Sequence, residues 1–164
     1  MERIWAPWRI EYILAGEMTG GCIFCVEDAG PDRERLLLHR SRHCFVMLNR
    51  YPYTNGHLMV IPYLHTSTLN DMGEDELLDL MLTVRLSQQV LEEASSPQGF
   101  NVGMNLGKAA GAGVDEHLHV HIVPRWNGDT NFMSVTADAR VVPESLMSTF
   151  DRLKPLFERL QDVE

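Results

Sequence analysis

Residues 117–125 constrain the fold of this chain more than any other stretch, and they read His-Leu-His-Val-His-Ile-Val-Pro-Arg. A strand has a two-residue period, so it would place His117, His119 and His121 on one face and the three aliphatic residues on the other. A helical period of 3.6 residues would spread the same imidazoles over more than half of the circumference. The run therefore predicts a strand that presents, on one face, three side chains that titrate near neutral pH.

The size and charge of the chain limit its organisation and its partners. Its 164 residues carry a net charge of −9 and suit one domain over residues 1–164, with an N-terminal arm of about 20 residues (1–20) and a C-terminal helix near 143–162. An acidic chain argues against nucleic-acid binding through a broad basic surface. No apolar run approaches the roughly 20 residues that span a bilayer, and the N-terminus lacks a signal-peptide core. We therefore expect a cytoplasmic protein with no membrane partner.

The cysteines point to metal or redox chemistry. There are three, an odd number, and Cys22 and Cys25 form a Cys-x-x-Cys pair in a chain without an export signal, which argues against a disulfide framework. The alternative is a pair of reduced thiols in a turn. Cys44 lies in an apolar run and is interpreted as a small buried hydrophobic residue.

The remaining pattern predicts an α+β fold. Apolar runs predict strands at 36–39, 44–48, 57–62 and 99–105. Asp71 and Glu74 form a capping signature before a periodic run of leucines, which predicts a long helix that ends at Ser95-Ser96-Pro97. Pro143-Glu144 opens a second amphipathic run. Strands on both sides of one long helix, followed by a second helix, are typical of an α+β fold with an antiparallel sheet.

A glycine-rich segment at 107–113 lies directly before the histidine run. Alternating glycines let a backbone approach a ligand closely and direct several N–H groups one way, as phosphate-binding loops do. Composition alone favours a flexible hairpin turn, but the position next to the histidines favours anion binding.

These motifs together resemble the histidine triad (HIT) nucleotide-binding proteins. Beside the His-x-His-x-His run, residues 48–52 (Leu-Asn-Arg-Tyr-Pro) and 56–62 (Gly-His-Leu-Met-Val-Ile-Pro) are similar to the nucleoside-pocket segment of that family, so that the resemblance covers roughly residues 20–126. Residues 5–9 (Trp-Ala-Pro-Trp-Arg), 124–126 (Pro-Arg-Trp) and 128–132 (Gly-Asp-Thr-Asn-Phe) resemble the bacterial branch that includes diadenosine tetraphosphate phosphorylases.

The resemblance implies a five-stranded antiparallel sheet with two main helices, and a dimer in which two such sheets form one of ten strands. It implies a nucleotidyl transferase or hydrolase that acts through a nucleotidyl-histidine intermediate on diadenosine polyphosphates, of phosphorylase type, with no catalytic metal. One alternative is a hydrolase of nucleoside phosphoramidates or adenylylated small molecules. Another is a nucleotide-binding sensor whose slow turnover is incidental.

The resemblance also implies residue roles. His119 would be the nucleophile, His121 would donate hydrogen bonds to phosphate oxygens, and His57 would orient the other two. The nucleotide-binding residues would be Asn49 for the ribose, Asn105 for a phosphate oxygen, and the backbone of Gly111, Ala112 and Gly113. A structural zinc ion would be held by Cys22, Cys25, His65 and His117, a closed ligand set.

The chain departs from the family pattern in the loop before the triad. Many members carry a Gln or Ser there, whereas residues 112–116 read Ala-Gly-Val-Asp-Glu. This difference concerns the leaving group and the acceptor, and it leaves nucleotide binding unaffected. Asp115 and Glu116 are expected to point to solvent.

Overall fold

A computed structural model describes residues 21–26, 31–129 and 144–161. Within these ranges five strands form one antiparallel sheet in the order β1-β2-β3-β5-β4. The strands are β1 (Leu37–Arg40), β2 (Cys44–Leu48), β3 (Leu58–Pro62), β4 (Gly99–Met104) and β5 (Val120–Arg125). The predicted α+β class and the antiparallel sheet are confirmed. The predicted N-terminal arm, with Trp5 and Trp8, lies outside the described residues.

Within the described residues, three α-helices accompany the sheet. They are α1 (Asp32–Arg35), a single turn before β1, α2 (Glu74–Ser95) between β3 and β4, and α3 (Leu146–Leu160) after β5. Short 3₁₀ turns lie at Leu69–Asp71 and Lys108–Ala110. In the described ranges no helix is both long enough and apolar enough to cross a membrane.

The two faces of the sheet carry different cores, as the alternation in the sequence predicts. Alternate residues of the central strands and of the histidine run pack with helices α2 and α3 in one large cluster, which includes Val46, Val60, Leu118, Val120 and Ile122. The residues between them face a smaller cluster that contains Phe45, Met59, Ile61 and Phe24. The aliphatic half of the histidine run is thus in the main core, and the three histidines lie on the other face.

The strand predicted from residue 117 begins three residues later, at Val120. Val120 is the first residue of β5, and it is paired with Val60 of β3 and with Met104 of β4. Before it, the Leu118 amide donates at 2.6 Å to the carbonyl of Thr66, in the segment that follows β3. The ladder therefore starts at Val120, although the side-chain alternation continues back to residue 117.

The start of α2 differs from the predicted capping signature. The N-cap residue is Gly73, whose amide donates to the Glu76 carboxylate at 2.8 Å, so the capping carboxylate is Glu76 and not Glu74. Asp71 ends the preceding 3₁₀ turn and accepts from the Thr66 hydroxyl at 2.6 Å. Spacing alone could not distinguish two acidic residues two positions apart.

The C-terminal helix is shorter than predicted, and its N-cap is Ser145, whose hydroxyl accepts from the Ser148 amide. The helix keeps Pro155 in its interior, where the ring removes one backbone hydrogen bond. Its apolar face, with Phe150, Leu153 and Phe157, packs in the main core.

Candidate active site

The histidine face is built by strands β3, β4 and β5. His121 is paired with Met59 of β3 and with Gly103 of β4. His57 precedes β3 by one residue and therefore lies two positions from Met59, on the same face as His121, where diagonal neighbours come into contact. The site is thus assembled from two segments that are 64 residues apart.

His119 is held in a single tautomer by its own backbone. Its Nδ1 donates to the His117 carbonyl at 2.9 Å, so in the neutral ring the lone pair is on Nε2. The side chain is 6% exposed. Burial lowers the pKa of His119, although the hydrogen bond to the His117 carbonyl opposes the shift. At neutral pH His119 therefore offers an unprotonated Nε2 in a fixed orientation.

His57 and His121 are joined by a hydrogen bond in which the donor and the acceptor can be identified. This hydrogen-bonded pair of rings is called the histidine relay below. The Tyr53 amide donates to His57 Nδ1 at 3.1 Å, and His57 Nε2 lies 3.0 Å from His121 Nδ1. A nitrogen that accepts cannot carry the proton of a neutral ring, so the proton of His57 is on Nε2 and is donated to His121. The proton of a neutral His121 is then on its own Nε2.

Burial keeps His57 neutral. The side chain has no exposed surface, and burial together with the neighbouring His121 and His119 lowers the pKa of His57 to about 3. The Tyr53 ring covers it with a centroid distance of 4.7 Å. Its tautomer is therefore set by the Tyr53 amide over the whole range of neutral pH.

The two predicted asparagines lie at the edges of this face. The pairing of β4 with β5 ends at Met104↔Val120, so Asn105 and His119 are the next residues beyond that last pair. Asn49 follows β2, where its amide donates to the His57 carbonyl at 3.0 Å and its Oδ1 accepts from the Tyr51 amide at 2.9 Å.

The glycine-rich loop contains one 3₁₀ turn. Gly107 and Gly111 flank it with φ of 83° and 85°, conformations that glycine adopts without strain. The Gly111 amide closes the turn by donating to the Lys108 carbonyl at 3.0 Å. Because this amide already has an acceptor, the contribution of Gly111 to the loop is its left-handed backbone conformation. Ala112 and Gly113 follow it toward the triad.

Asp115 and Glu116 are both expected to point to solvent, and Asp115 differs from this expectation. Asp115 Oδ2 lies 3.6 Å from Lys108 Nζ, and its side chain is only 32% exposed. It thus forms an ion pair across the loop and does not simply point to solvent. Glu116 is exposed, as predicted.

The four predicted metal ligands lie together. One donor atom from each of Cys22, Cys25, His65 and His117 falls within 4.8 Å of the other three. His117 Nδ1 is 3.3 Å from Cys22 Sγ, and His65 Nδ1 is 3.2 Å from Cys25 Sγ. A tetrahedral zinc ion with ordinary bond lengths separates sulfur and nitrogen ligands by about 3.6 Å.

The protonation of His117 suits a metal. Its Nε2 donates to the Pro62 carbonyl at 2.8 Å, which leaves the lone pair on Nδ1, the atom that faces the two thiols. Burial lowers the pKa of His117, which also favours the neutral ring that coordinates. The donor set and its tautomer therefore fit a structural zinc ion.

Comparison with known proteins decides the family. The family model described as HIT domain matches residues 32–128, which is more than half of the chain. The chain belongs to the HIT family.

Relatives and solved structures agree with this assignment. An AP-4-A phosphorylase of Mycobacterium tuberculosis is 38% identical over 157 residues, which cover 91% of this chain and 80% of that protein. A histidine triad nucleotide-binding protein of Sulfolobus tokodaii, described as hypothetical, superposes with a TM-score of 0.64 at 27% identity, over 87% of this HIT protein and 93% of the other. A histidine triad family protein of Mycobacterium smegmatis superposes with a TM-score of 0.67 at 24% identity, over 88% and 98% of the two chains.

Sequence reasoning missed two contributors to the site of this HIT protein. Tyr53 acts through its backbone amide, which no residue pattern reveals. Gly103 lies opposite His121, and a Cβ built on it would meet no atom within 4 Å. A glycine inside a predicted strand could have signalled this open space beside His121.

Proposed function

We propose that this HIT protein is a nucleotidyl transferase or hydrolase that acts on diadenosine polyphosphates through a nucleotidyl-histidine intermediate, with phosphorolysis as its reaction. The observation that carries the proposal is the fixed, neutral His119, whose Nε2 lone pair lies beside the His57–His121 relay. The relationship to the M. tuberculosis AP-4-A phosphorylase, at 38% identity over most of both chains, supports the choice of substrate.

In the first half-reaction, His119 Nε2 attacks the α-phosphorus of the substrate. An N–P bond forms, the P–O bond to the remaining nucleotide breaks, and that nucleotide leaves with the electron pair. His121 donates its Nε2 proton in a hydrogen bond to a non-bridging oxygen, where negative charge develops. His57 takes no part in the bond changes, since it only holds the proton of His121 on the required nitrogen.

In the second half-reaction, inorganic phosphate attacks the same phosphorus and the N–P bond breaks. The electron pair returns to His119 Nε2. Diadenosine tetraphosphate gives ATP as the first leaving group and ADP as the second product. The same intermediate would give AMP if water were the acceptor.

Binding is assigned to residues around this centre. Asn49 Oδ1 already accepts from Tyr51, so its Nδ2 group is the donor for a ribose hydroxyl. We assign Asn105 to a phosphate oxygen, and its position directly after the Met104–Val120 pair supports this. The backbone of the segment Gly111, Ala112 and Gly113 is assigned the remaining phosphate contact, in which Gly111 supplies the bend and the two following amides would donate.

The His119→Ala variant tests the nucleophile. We expect kcat on diadenosine tetraphosphate to fall by about a thousandfold or more, while AMP affinity, measured by calorimetry, changes little. His43→Ala is the matched control, since His43 lies in the β1–β2 turn and should leave turnover unchanged. Normal turnover in His119→Ala would reject the assignment.

Product analysis with and without inorganic phosphate tests the reaction type. ADP and ATP in equal amounts, formed only when phosphate is present, are the expected result. ATP and AMP without a phosphate requirement would mean hydrolysis. Nucleotide binding without turnover would favour a sensor, and faster cleavage of an adenosine phosphoramidate would favour the alternative hydrolase.

We also propose that Cys22, Cys25, His65 and His117 hold a structural zinc ion. When bound, zinc would fix the Cys22–Cys25 turn against the start of the histidine run and leave no open coordination position for catalysis. The M. smegmatis protein was solved with zinc bound, but at that identity the likeness supports the fold alone, so the proposal rests on the four donor atoms.

Elemental analysis tests the metal. One zinc per chain is expected in protein that is purified without added metal, and Cys25→Ser should lose most of it. Cys44→Ser is the control, because Cys44 lies in the main core and away from the four ligands. Active protein with far less than one zinc per chain would reject this site.

The assembly is proposed to be a homodimer with a ten-stranded sheet. Strand β4 is at the edge of the sheet, and the apolar side chains of Val102 and Leu106 are 44% and 45% exposed there. An open apolar edge strand favours pairing with another chain.

We further propose one domain over 1–164 and a cytoplasmic location, which suits the paired thiols of a zinc site.

A further inference from the structure

The loop between β2 and β3 contacts His57, the first ring of the histidine relay, through the backbone amide of Tyr53. Its Tyr53 amide donates to His57 Nδ1 at 3.1 Å, and this one contact sends the His57 proton to Nε2 and the His121 proton to its own Nε2. If the loop moved by about an ångström, His57 would be free to adopt the other tautomer. It could then no longer donate to His121.

The side chains of Thr54 and Asn55, which follow Tyr53, tie this part of the loop to the rest of the molecule. Thr54 Oγ1 donates to the Pro124 carbonyl of β5 at 3.0 Å. Asn55 Nδ2 donates to Glu144 Oε2 at 3.1 Å, a contact between residues 89 positions apart. Asn55 is two residues from both Tyr53 and His57, so the position of its side chain restrains both.

Glu144 is itself held from several directions. Arg152 Nη2 donates to Oε2 at 2.7 Å and Arg152 Nε to Oε1 at 3.2 Å, in a bidentate pair. The Thr149 hydroxyl adds a third donor at 2.8 Å. Arg152 Nη1 also donates to the Ala94 carbonyl near the end of α2 at 2.9 Å. Residues of helices α2 and α3 thus fix the Glu144 carboxylate, which accepts the hydrogen bond from Asn55.

The ionisation state of Glu144 also supports its role as the acceptor for Asn55. The hydrogen bonds from Arg152, with smaller contributions from Thr149 and Asn55, lower the pKa of Glu144 to about 2. The carboxylate therefore stays ionised at any pH at which the enzyme would work, and it accepts all of these hydrogen bonds without competition from its own proton.

We propose that Asn55, Glu144 and Arg152 are positioning residues that hold the β2–β3 loop where the Tyr53 amide selects the productive tautomer of His57 and His121. The proposal rests on the function assigned above to the relay. Ion pairs that are in contact with solvent contribute little to stability. The side chains of the Arg152–Glu144 pair are 34% and 25% exposed. The expected effect is on catalysis and on the ring tautomers more than on folding.

The test variant is Asn55→Asp, which keeps the size of the side chain and places a second carboxylate against Glu144. We expect kcat to fall about tenfold or more, as when one donor to a developing charge is misplaced, with KM changed less than about twofold. Imidazole nitrogen NMR of the free enzyme should show His57 moving from one tautomer to a mixture.

A second variant tests the acceptor of this contact. Glu144→Ala removes the carboxylate to which Asn55 and Arg152 both donate. The same fall in kcat and the same mixture of His57 tautomers are expected. Asp151→Asn is the matched control, since Asp151 lies on α3 and also forms a bidentate pair, with Arg33 before β1, and its loss should change neither readout.

Several outcomes would overturn the proposal. A folded Asn55→Asp protein with normal kcat and an unchanged tautomer would do so, as would a folded Glu144→Ala protein in which both readouts are unchanged. If Asn55→Asp does not fold, Glu144→Ala, which removes the acceptor without adding a charge, carries the same expectations. The NMR readout needs no substrate, so a tautomer shift in a protein inactive on diadenosine tetraphosphate would support the network and reject the proposed reaction.

Discussion

At the scale of single residues, one side-chain type carries three different roles because each histidine has a different partner. His117 donates through Nε2 to the Pro62 carbonyl, which leaves Nδ1 for the thiols. His119 donates through Nδ1 to the His117 carbonyl, which leaves Nε2 unprotonated for the proposed attack on phosphorus. His121 accepts at Nδ1 from His57 and thereby becomes a donor at Nε2. The hydrogen bond at one nitrogen determines the chemistry available at the other.

The buried His57 should make stability depend on pH. Its pKa lies near 3 in the folded protein against an ordinary value of 6.5, so between these values the unfolded chain binds the extra proton. The free energy of unfolding therefore falls as pH decreases below 6.5, by up to about 1.4 kcal/mol per pH unit from this residue. Urea unfolding of the protein and of His57→Gln at pH 7 and pH 5 measures the difference.

The expected result is a smaller loss of stability on acidification in His57→Gln. Glu144 does not interfere above pH 5, because its lowered pKa affects stability only below its ordinary value of 4.5. The other buried histidines are present in both proteins and cancel in the comparison. Equal pH dependence in the two proteins would show that His57 is not neutral when folded.

At the scale of the elements, the site depends on where strands end and loops turn back. The β2–β3 loop finishes at Gly56, which has φ of 74° and is followed directly by His57. A Cβ at this position would lie 3.1 Å from Leu91 Cδ2 and 3.6 Å from Pro124 Cγ. Both the left-handed backbone and the close packing on α2 therefore require glycine here.

Gly56→Ala should destabilise the protein for two separable reasons. The left-handed conformation costs about 1–2 kcal/mol for a residue with a Cβ, and the contact with the buried Leu91 adds to that. Gly128→Ala is the matched control, because Gly128 has φ of 80° but open space around its Cβ position. Equilibrium unfolding should show a larger loss for Gly56→Ala than for the control, and equal losses would mean that packing on Leu91 contributes nothing.

At the scale of the whole molecule, the described part of the chain leaves strand β4 with a neighbouring strand on one side only. Helices α2 and α3 pack on one face and the site occupies part of the other, while β4 lies at the end of the strand order. Leu78 and Met81 of α2 are each 58% exposed. A second copy that pairs along β4 would continue the sheet and cover apolar surface of this kind.

Val102→Lys should weaken the proposed dimer. A lysine on an edge strand opposes pairing between strands, so light scattering after size exclusion should show the monomer mass for this variant and the dimer mass for the unchanged chain. Met147→Lys is the control, because Met147 is an apolar residue of similar exposure, 36%, on α3. A dimer that persists in Val102→Lys would place the interface elsewhere.

The sequence alone determined those features that depend on local geometry. The two-residue period of a strand assigns Leu118, Val120 and Ile122 to the core and the three histidines to the opposite face, whatever the rest of the chain does. The spacing of Cys22 and Cys25, the glycines before the triad and the order of the elements are equally local. These features were sufficient for the fold class and for the residues at the centre of the proposed site.

Tertiary structure alone decided what depends on contacts between distant segments. Strand order placed His57 against His121, and the end of the pairing with β3 at Val60 fixed the start of β5 at Val120. The tautomer of each ring follows from backbone groups such as the Tyr53 amide, which all residue types share and no sequence pattern marks. The Asn55–Glu144 contact joins residues 89 positions apart, and no local preference predicts such a pair because the two residues meet only in the folded chain.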